Sequence, residues 1–196
     1  MIKIGITGGI GSGKSVVASL LELHGIPVYI ADRESKILTD SSPIIRDRLT
    51  ALFGKEIYTE KGVNKQLLAF HIFGNPEYMQ KVNAIIHPEV NRHFSEWTKK
   101  QASDICAIES AILFESGFDK TVDKSLMVYA PIDIRIERAT GRDRVPREEI
   151  ERRIRNQMPD EVKRDRSDYV IHNDGKQALL PQIEKLLFFL RNSFAK

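Results

Sequence analysis

Eight consecutive residues constrain this chain more than any others: Gly8-Gly9-Ile10-Gly11-Ser12-Gly13-Lys14-Ser15. They fit G-x-x-x-x-G-K-[ST], a P-loop that cradles phosphate with backbone amides. The flanks add to the constraint. Ile2–Thr7 is short, apolar and rich in β-branched residues, which predicts a buried strand. Residues 15–23 have the pattern of a helix, and Gly25 supplies its stop. A strand, a glycine loop and a helix N-terminus in that order make an anion site. The glycines turn amides inward, and the helix dipole adds positive potential. In such a loop Lys14 reaches the β/γ-phosphates and Ser15 ligates Mg²⁺.

Bulk composition narrows the class further. The 196 residues are enough for one substantial core with insertions, and 41% hydrophobic with 29% charged residues suits a water-soluble globular chain. A net charge of +3 favours anionic ligands but is too mild to argue for nucleic acid. No apolar run approaches the ~20 residues of a membrane span, and no leader is visible ahead of the first strand. The expectation is a cytoplasmic protein with no nucleic-acid or membrane partner. The single cysteine, Cys106, lies in an apolar run and reads as a small core residue.

Further strand-like runs at 27–30, 105–108, 126–129 and Tyr169–His172 alternate with helical stretches. The pattern predicts an α/β fold with a parallel sheet of about five strands. Two stretches fall outside the alternation. Residues 44–100 contain no convincing strand and read as a helical insertion with breaks near Gly54, Gly62, Gly74-Asn75-Pro76 and Pro88. Residues 135–166 hold ten of the fifteen arginines among eight acidic residues. Most of these charges suit solvated helix faces laced with i,i+4 pairs, and some suit a lid over phosphates. Residues 179–190 form an amphipathic helix that docks on the sheet.

The loop alone does not name a reaction. Asn64-Lys65-Gln66-Leu67 lacks the Asp of a guanine-reading N-K-x-D motif and sits in the helical insertion, so it reads as a chance match. Phosphoryl transfer also needs a group that positions the acceptor, and Asp32, just after the second strand, is the candidate. Two readings stand for it: an acceptor base or Mg²⁺-water ligand, and the N-cap of a helix over 33–39. Glu109, ending the third strand, is either an acidic ligand of Mg²⁺ through water or a solvated strand-end carboxylate. Arg138 and Arg142 lie four apart on one helix and suit adenine stacking or a phosphate clamp. Surface ion pairs with Glu137 or Asp143 are the plainer alternative. His87-Pro88 reads as a helix break.

Together these motifs resemble the dephospho-CoA kinase family. The resemblance rests on residues 5–15, Ile30-Ala31-Asp32, His87-Pro88, Leu113-Phe114-Glu115, Glu137-Arg138 with Arg142-Asp143, Arg153 with Gln157-Met158-Pro159, Lys163-Arg164 and Asn173-Asp174-Gly175. It spans nearly the whole chain. The chain departs from the family pattern at Val16, Ile30, Glu109 and Ala111.

The resemblance implies a single P-loop NTPase domain. Its parts are a nucleotide core over 1–43 and 101–196, a helical CoA-binding region over 44–100 and a helical lid over about 138–166. It implies transfer of the ATP γ-phosphoryl to the ribose 3′-hydroxyl of dephospho-CoA, with Mg²⁺ accompanying ATP. On this pattern Gly8, Gly9, Gly11, Ser12, Gly13, Lys14, Ser15 and Val16 hold the phosphates. Arg138 and Asn173 lie at the base, and Arg142 neutralises the moving phosphoryl. Asp32 acts on the acceptor hydroxyl, and His87, Pro88, Leu113, Phe114 and Glu115 face the acceptor. Ser15 and Glu109 hold the metal, partly through water. The expected state is a monomer or weak homo-oligomer. Alternatives are a kinase acting on a nucleoside monophosphate or sugar, and a nucleotide-dependent switch.

Overall fold

The computed structural model describes Met1–Ser193. In chain order the elements are β1 (Ile2–Thr7), α1 (Lys14–Leu23), β2 (Val28–Ile30), α2 (Ala31–Ser41), α3 (Pro43–Phe53), β3 (Tyr58–Thr59), β4 (Gly62–Val63), α4 (Lys65–Ile72) and α5 (Pro76–Thr98). Then follow β5 (Ile105–Glu109), β6 (Lys124–Tyr129), α6 (Ile132–Asp143), α7 (Arg147–Arg155), α8 (Asp160–Arg166), β7 (Tyr169–His172) and α9 (Leu179–Ser193). Among the described residues no helix is long and apolar enough to cross a membrane.

One compact unit comprises Met1–Tyr29 and the chain from Gln101 onward. It holds a five-stranded sheet in the order β2-β5-β1-β6-β7. β1 runs parallel to both neighbours, pairing Ile4 with Ala107 and Ile6 with Leu126. With partners on both edges, β1 is buried from Ile4 to Thr7, on both faces of the sheet, while Ile2 and Lys3 at its start are partly exposed. Ile4, Ile6, Ile108, Leu126, Val128 and Ile171 form the sheet's part of the core, and Val17, Leu21, Ile183, Leu186 and Leu190 come from α1 and α9. Cys106 is fully buried there, and burial pushes its thiol up to about 11. The connection leaving β1 runs one way, over β5 to β2, and the connection leaving β5 runs the other way, over β1 to β6, so the carboxyl ends of these two strands flank a switch point of the sheet, where open α/β folds bind ligands.

The second unit is Ile30–Lys100. It begins earlier than residue 44 because α2 packs on α5 and α3. Two sequence expectations fail here. The stretch does contain strands: β3 and β4 form an antiparallel hairpin pairing Tyr58 with Val63. Its position is fixed from outside, by Asp40 accepting the Val63 amide at 2.9 Å. Nor does Pro88 break a helix, since α5 runs through it from Pro76 to Thr98. Val82, Val90 and Phe94 bury one stripe of α5 on either side of the proline. Pro88 and Ala84, whose carbonyl loses its amide partner, both lie exposed, where water can take that bond. Asn64 caps α4, its Oδ1 accepting the Leu67 amide at 3.1 Å, which gives the N-K-x-x match a structural job.

Candidate active site

The loop 8–13 leaves β1 and enters α1 through Gly13 in the left-handed region, φ 92°. No side chain caps α1 and no acidic residue stands in its first turn. The positive end of the helix is therefore left for an anion. Two glycines are required by their surroundings. A Cβ at Gly11 would lie 2.1 Å from the Arg135 carbonyl oxygen, and one at Gly13 would lie 2.1 Å from Asn173 Nδ2. Lys14 Nζ reaches back to the Gly9 carbonyl at 3.4 Å and to Glu109 Oε1 at 3.9 Å, with both side chains largely buried. The ammonium is thus held over the loop beside the strand-end carboxylate. Ser15 and Val16 are exposed in the first turn of α1.

Asn173 joins three elements. Its amide donates to the Tyr129 carbonyl at the end of β6 (2.8 Å), and its side-chain Nδ2 donates to the Ser12 carbonyl (2.8 Å). Its own carbonyl accepts from Arg138 Nη1 at 2.9 Å. Three residues read from the sequence as nucleotide ligands, Ser12, Arg138 and Asn173, are thereby in direct contact. Arg142 stands apart from them. It is exposed and pairs with the adjacent Asp143 at 2.7 Å, and Asp143 also accepts from Arg153 at 3.0 Å.

The segment after β5 is tied to α8. Leu113 is fully buried and Phe114 nearly so, with the Arg166 guanidinium 4.4 Å over the Phe114 ring. Glu115 accepts from the Met158 amide at 2.8 Å and from Lys163 Nζ at 3.0 Å. Lys163 is completely buried and also donates to the Ala111 carbonyl at 2.6 Å. Burial pulls the Lys163 ammonium below the usual lysine range, and Glu115 opposes that shift.

In the helical unit, Asp32 is the second residue of α2 and is exposed. The residue preceding that helix is Ile30, so Asp32 does not cap it. As a first-turn carboxylate it still meets the positive helix end. His87 is half-buried in α5, and burial lowers its pKa, so the ring is neutral at neutral pH. Phe53 stacks on His71 at 4.6 Å, while Phe70 and Phe73 are 77% and 76% exposed.

Sequence reasoning missed Arg135. It is 3% exposed, donates from Nε to the Ile10 carbonyl at 2.9 Å and pairs through Nη1 with Asp160. A signal was available: Arg135 sits beside Ile136 and one turn from Ala139 on the buried stripe of α6, where an arginine demands a partner.

Mg-ATP can be tested against these residues. Ser12 Oγ and Thr7 Oγ1 at the base of the loop are buried without a hydrogen-bond partner. A hydroxyl on Ser15, a carboxylate on Glu109 and an ammonium on Lys14 give the hard oxygen donors and the positive charge that a magnesium triphosphate needs. The residue set fits that group.

A family model described as dephospho-CoA kinase matches residues 2–178. A dephospho-CoA kinase of Bacteroides fragilis is 52% identical over 190 residues, covering 96% of this chain and 93% of the relative. A crystal structure from Thermus thermophilus superposes with a TM-score of 0.82 at 33% identity, covering 100% of this chain and 98% of that one. A dephospho-CoA kinase structure from Campylobacter jejuni gives a TM-score of 0.65 at 21% identity over 96% of this chain and 95% of the other, which bears on the fold alone.

Proposed function

Because the chain belongs to the dephospho-CoA kinase family, we propose how its residues divide one phosphoryl transfer among them. The enzyme moves the γ-phosphoryl of ATP to the ribose 3′-hydroxyl of dephospho-CoA, giving coenzyme A and ADP, the last step of coenzyme A synthesis. The observation that carries the division of roles is the uncapped α1 N-terminus beneath Lys14, with Asn173 tying the loop to Arg138.

Gly8, Gly9, Gly11, Ser12, Gly13 and Val16 give the triphosphate its backbone cradle, and Lys14 supplies positive charge to the β/γ-oxygens. Arg138 and the Asn173 turn flank the base. Arg142 leaves Asp143 to meet the charge that develops on the moving phosphoryl. A magnesium ion arriving with ATP would be held by Ser15 and, through water, by Glu109, and would neutralise phosphate charge. Asp32 orients the 3′-hydroxyl and accepts its proton. The helical unit, with His87 and Pro88, receives the acceptor. His87, being neutral, serves as a hydrogen-bonding group and not as a cation. Of the trio after β5, Leu113 and Phe114 do the packing and Glu115 is the member open to a ligand. Closure of the lid, residues 138–166 with α7 and α8 as its helices, excludes water as a competing acceptor. We assign the enzyme to the cytoplasm as a monomer or weak homo-oligomer acting without nucleic acid or membrane.

One acceptor panel tests the reading. Mg-ATP is incubated with dephospho-CoA, AMP, CMP, gluconate or water, and ADP and product mass are measured. Dephospho-CoA should gain one phosphoryl group far faster than any other acceptor. Phosphorylation of AMP in preference to it would overturn the assignment.

A further inference from the structure

Both backbone polar groups of one residue in the phosphate loop are taken by residues outside the loop. The Ile10 amide donates to Gln157 Oε1 at 3.1 Å, and the Ile10 carbonyl accepts from Arg135 Nε at 2.9 Å. The Ile10 side chain packs on the cluster of Ile136, Ala139 and Ile150, together with Val145 and Ile154. Ile10 is thus fixed by its amide, its carbonyl and its side chain, and every partner lies on α6, on the lid helix α7, or in the links on either side of α7.

Arg135 is the centre of this attachment. Its guanidinium lies over Gly9, where a Cβ would come within 2.0 Å of Nη2, and its backbone carbonyl closes on Gly11. Its Nη1 pairs with Asp160 in the first turn of α8, and that carboxylate is itself 11% exposed. A buried guanidinium needs such a partner, because an uncompensated charge is costly in a low-dielectric setting. Asp160 therefore sets where Arg135 sits, and Arg135 sets where the loop crest sits.

We propose that Arg135, anchored by Asp160, is a positioning residue that couples the seat of the lid to the geometry of the phosphate loop, so that nucleotide affinity depends on the lid's root. Neither side chain has to touch the nucleotide for this. The pair acts through the Ile10 carbonyl, and charge-assisted hydrogen bonds give it the strength to do so. The proposal rests on the reading of residues 8–15 as the nucleotide's phosphate cradle.

The experiment uses the full chain and the variants Asp160→Asn, Asp160→Ala, Arg135→Met and the Arg135→Met/Asp160→Ala double. Calorimetry gives the Kd for Mg-ADP, steady-state kinetics gives KM for each substrate, and hydrogen exchange follows the peptide containing Ile10. In Asp160→Ala the Mg-ADP Kd and the KM for ATP should rise about tenfold, the loss of one charge-assisted hydrogen bond. The KM for dephospho-CoA should hold and the Ile10 peptide should exchange faster. Asp160→Asn, which keeps an acceptor for Arg135, should fall between wild type and Asp160→Ala. The double variant should lose no more than Arg135→Met alone, because Asp160 works through Arg135. Unchanged Mg-ADP affinity and loop exchange in folded Asp160→Ala would overturn the proposal, as would additive losses in the double variant. Should Arg135→Met not fold, the two Asp160 variants alone decide. Wild type failing to bind Mg-ADP would instead overturn the phosphate-cradle reading itself.

Discussion

The two units treat their polar groups differently. In the sheet unit the residues around the phosphate loop are held by other parts of the chain: Ser12 by Asn173, Ile10 by Arg135 and Gln157, Lys14 by Glu109. In the helical unit Asp32 is exposed, α4 has no buried residue, and Phe70 and Phe73 face outward. The contrast fits the proposed division of ligands between the units. A triphosphate presents the same oxygens in the same places every time, so a site preorganised in backbone costs little to keep. In the proposed division of roles the helical unit receives the acceptor, and the groups it offers are exposed side chains in place of a backbone cradle.

The largest effect that can break this contrast is on the preorganised side. Lys14→Ala should lower kcat/KM by at least ~10³-fold, because it removes charge aimed at the transferring group. Circular dichroism and the melting temperature should stay near wild type, since Lys14 lies outside the apolar core. Near-normal turnover would show that the loop binds nucleotide without serving the chemistry. Arg142 lies between the two regimes, exposed and paired to Asp143. If it acts as an arginine finger, Arg142→Ala costs about 10³-fold in kcat. A change confined to KM would place it with ground-state binding.

On the acceptor side the expected effect is smaller. Asp32→Asn should reduce kcat by about 10²-fold and leave Mg-ATP affinity intact, as removal of a general base does. Unchanged kcat would reduce Asp32 to a first-turn carboxylate favourable to α2 and nothing more. Substituting Phe70 and Phe73 by Ser gives the counterpart. Any effect should fall on the KM for dephospho-CoA, and an equal rise in the KM for ATP would erase the distinction between the units.

The same difference governs what could be read from the chain. The five sheet strands are legible because burial in the sheet leaves short segments rich in apolar and β-branched residues, such as residues 105–108. The loop is legible because phosphate chemistry fixes both residue type and spacing. The β3-β4 hairpin escaped because strands of two residues carry no periodicity, and its anchor, Asp40, lies far back in the sequence. Pro88 misled because a proline inside α5 is tolerated once the stripe of Val82, Val90 and Phe94 is buried. Arg135 and Lys163 were hidden in plain composition. Among ten arginines and their acidic neighbours, only the third dimension shows which cations go inside. Their partners, Asp160, Ala111 and Glu115, stand 25 to 52 residues away.

The smallest test concerns the turn that carries Asn173. Asp174 Oδ1 accepts the amides of Lys176 and Gln177 at 2.9 and 3.0 Å. Those bonds favour the carboxylate and pull its pKa from the ordinary 3.8 to about 2. A carboxyl depressed in the folded state stabilises above its unfolded pKa and loses that contribution as pH falls through the folded one. Wild type should therefore lose its advantage over Asp174→Asn between about pH 4 and pH 2. The melting temperatures, a few degrees apart at most near neutrality, should converge across that window. Because the carboxylate is exposed, the effect belongs with the weak interactions of the surface, although Asp174 adjoins a residue that touches the phosphate loop. If Asp174→Asn also weakened Mg-ADP binding, the preorganisation of the nucleotide side would extend past Asn173 into the turn. If the acid limbs of the two proteins ran parallel, the turn would owe its shape to the Asn173 and Gln182 bonds alone.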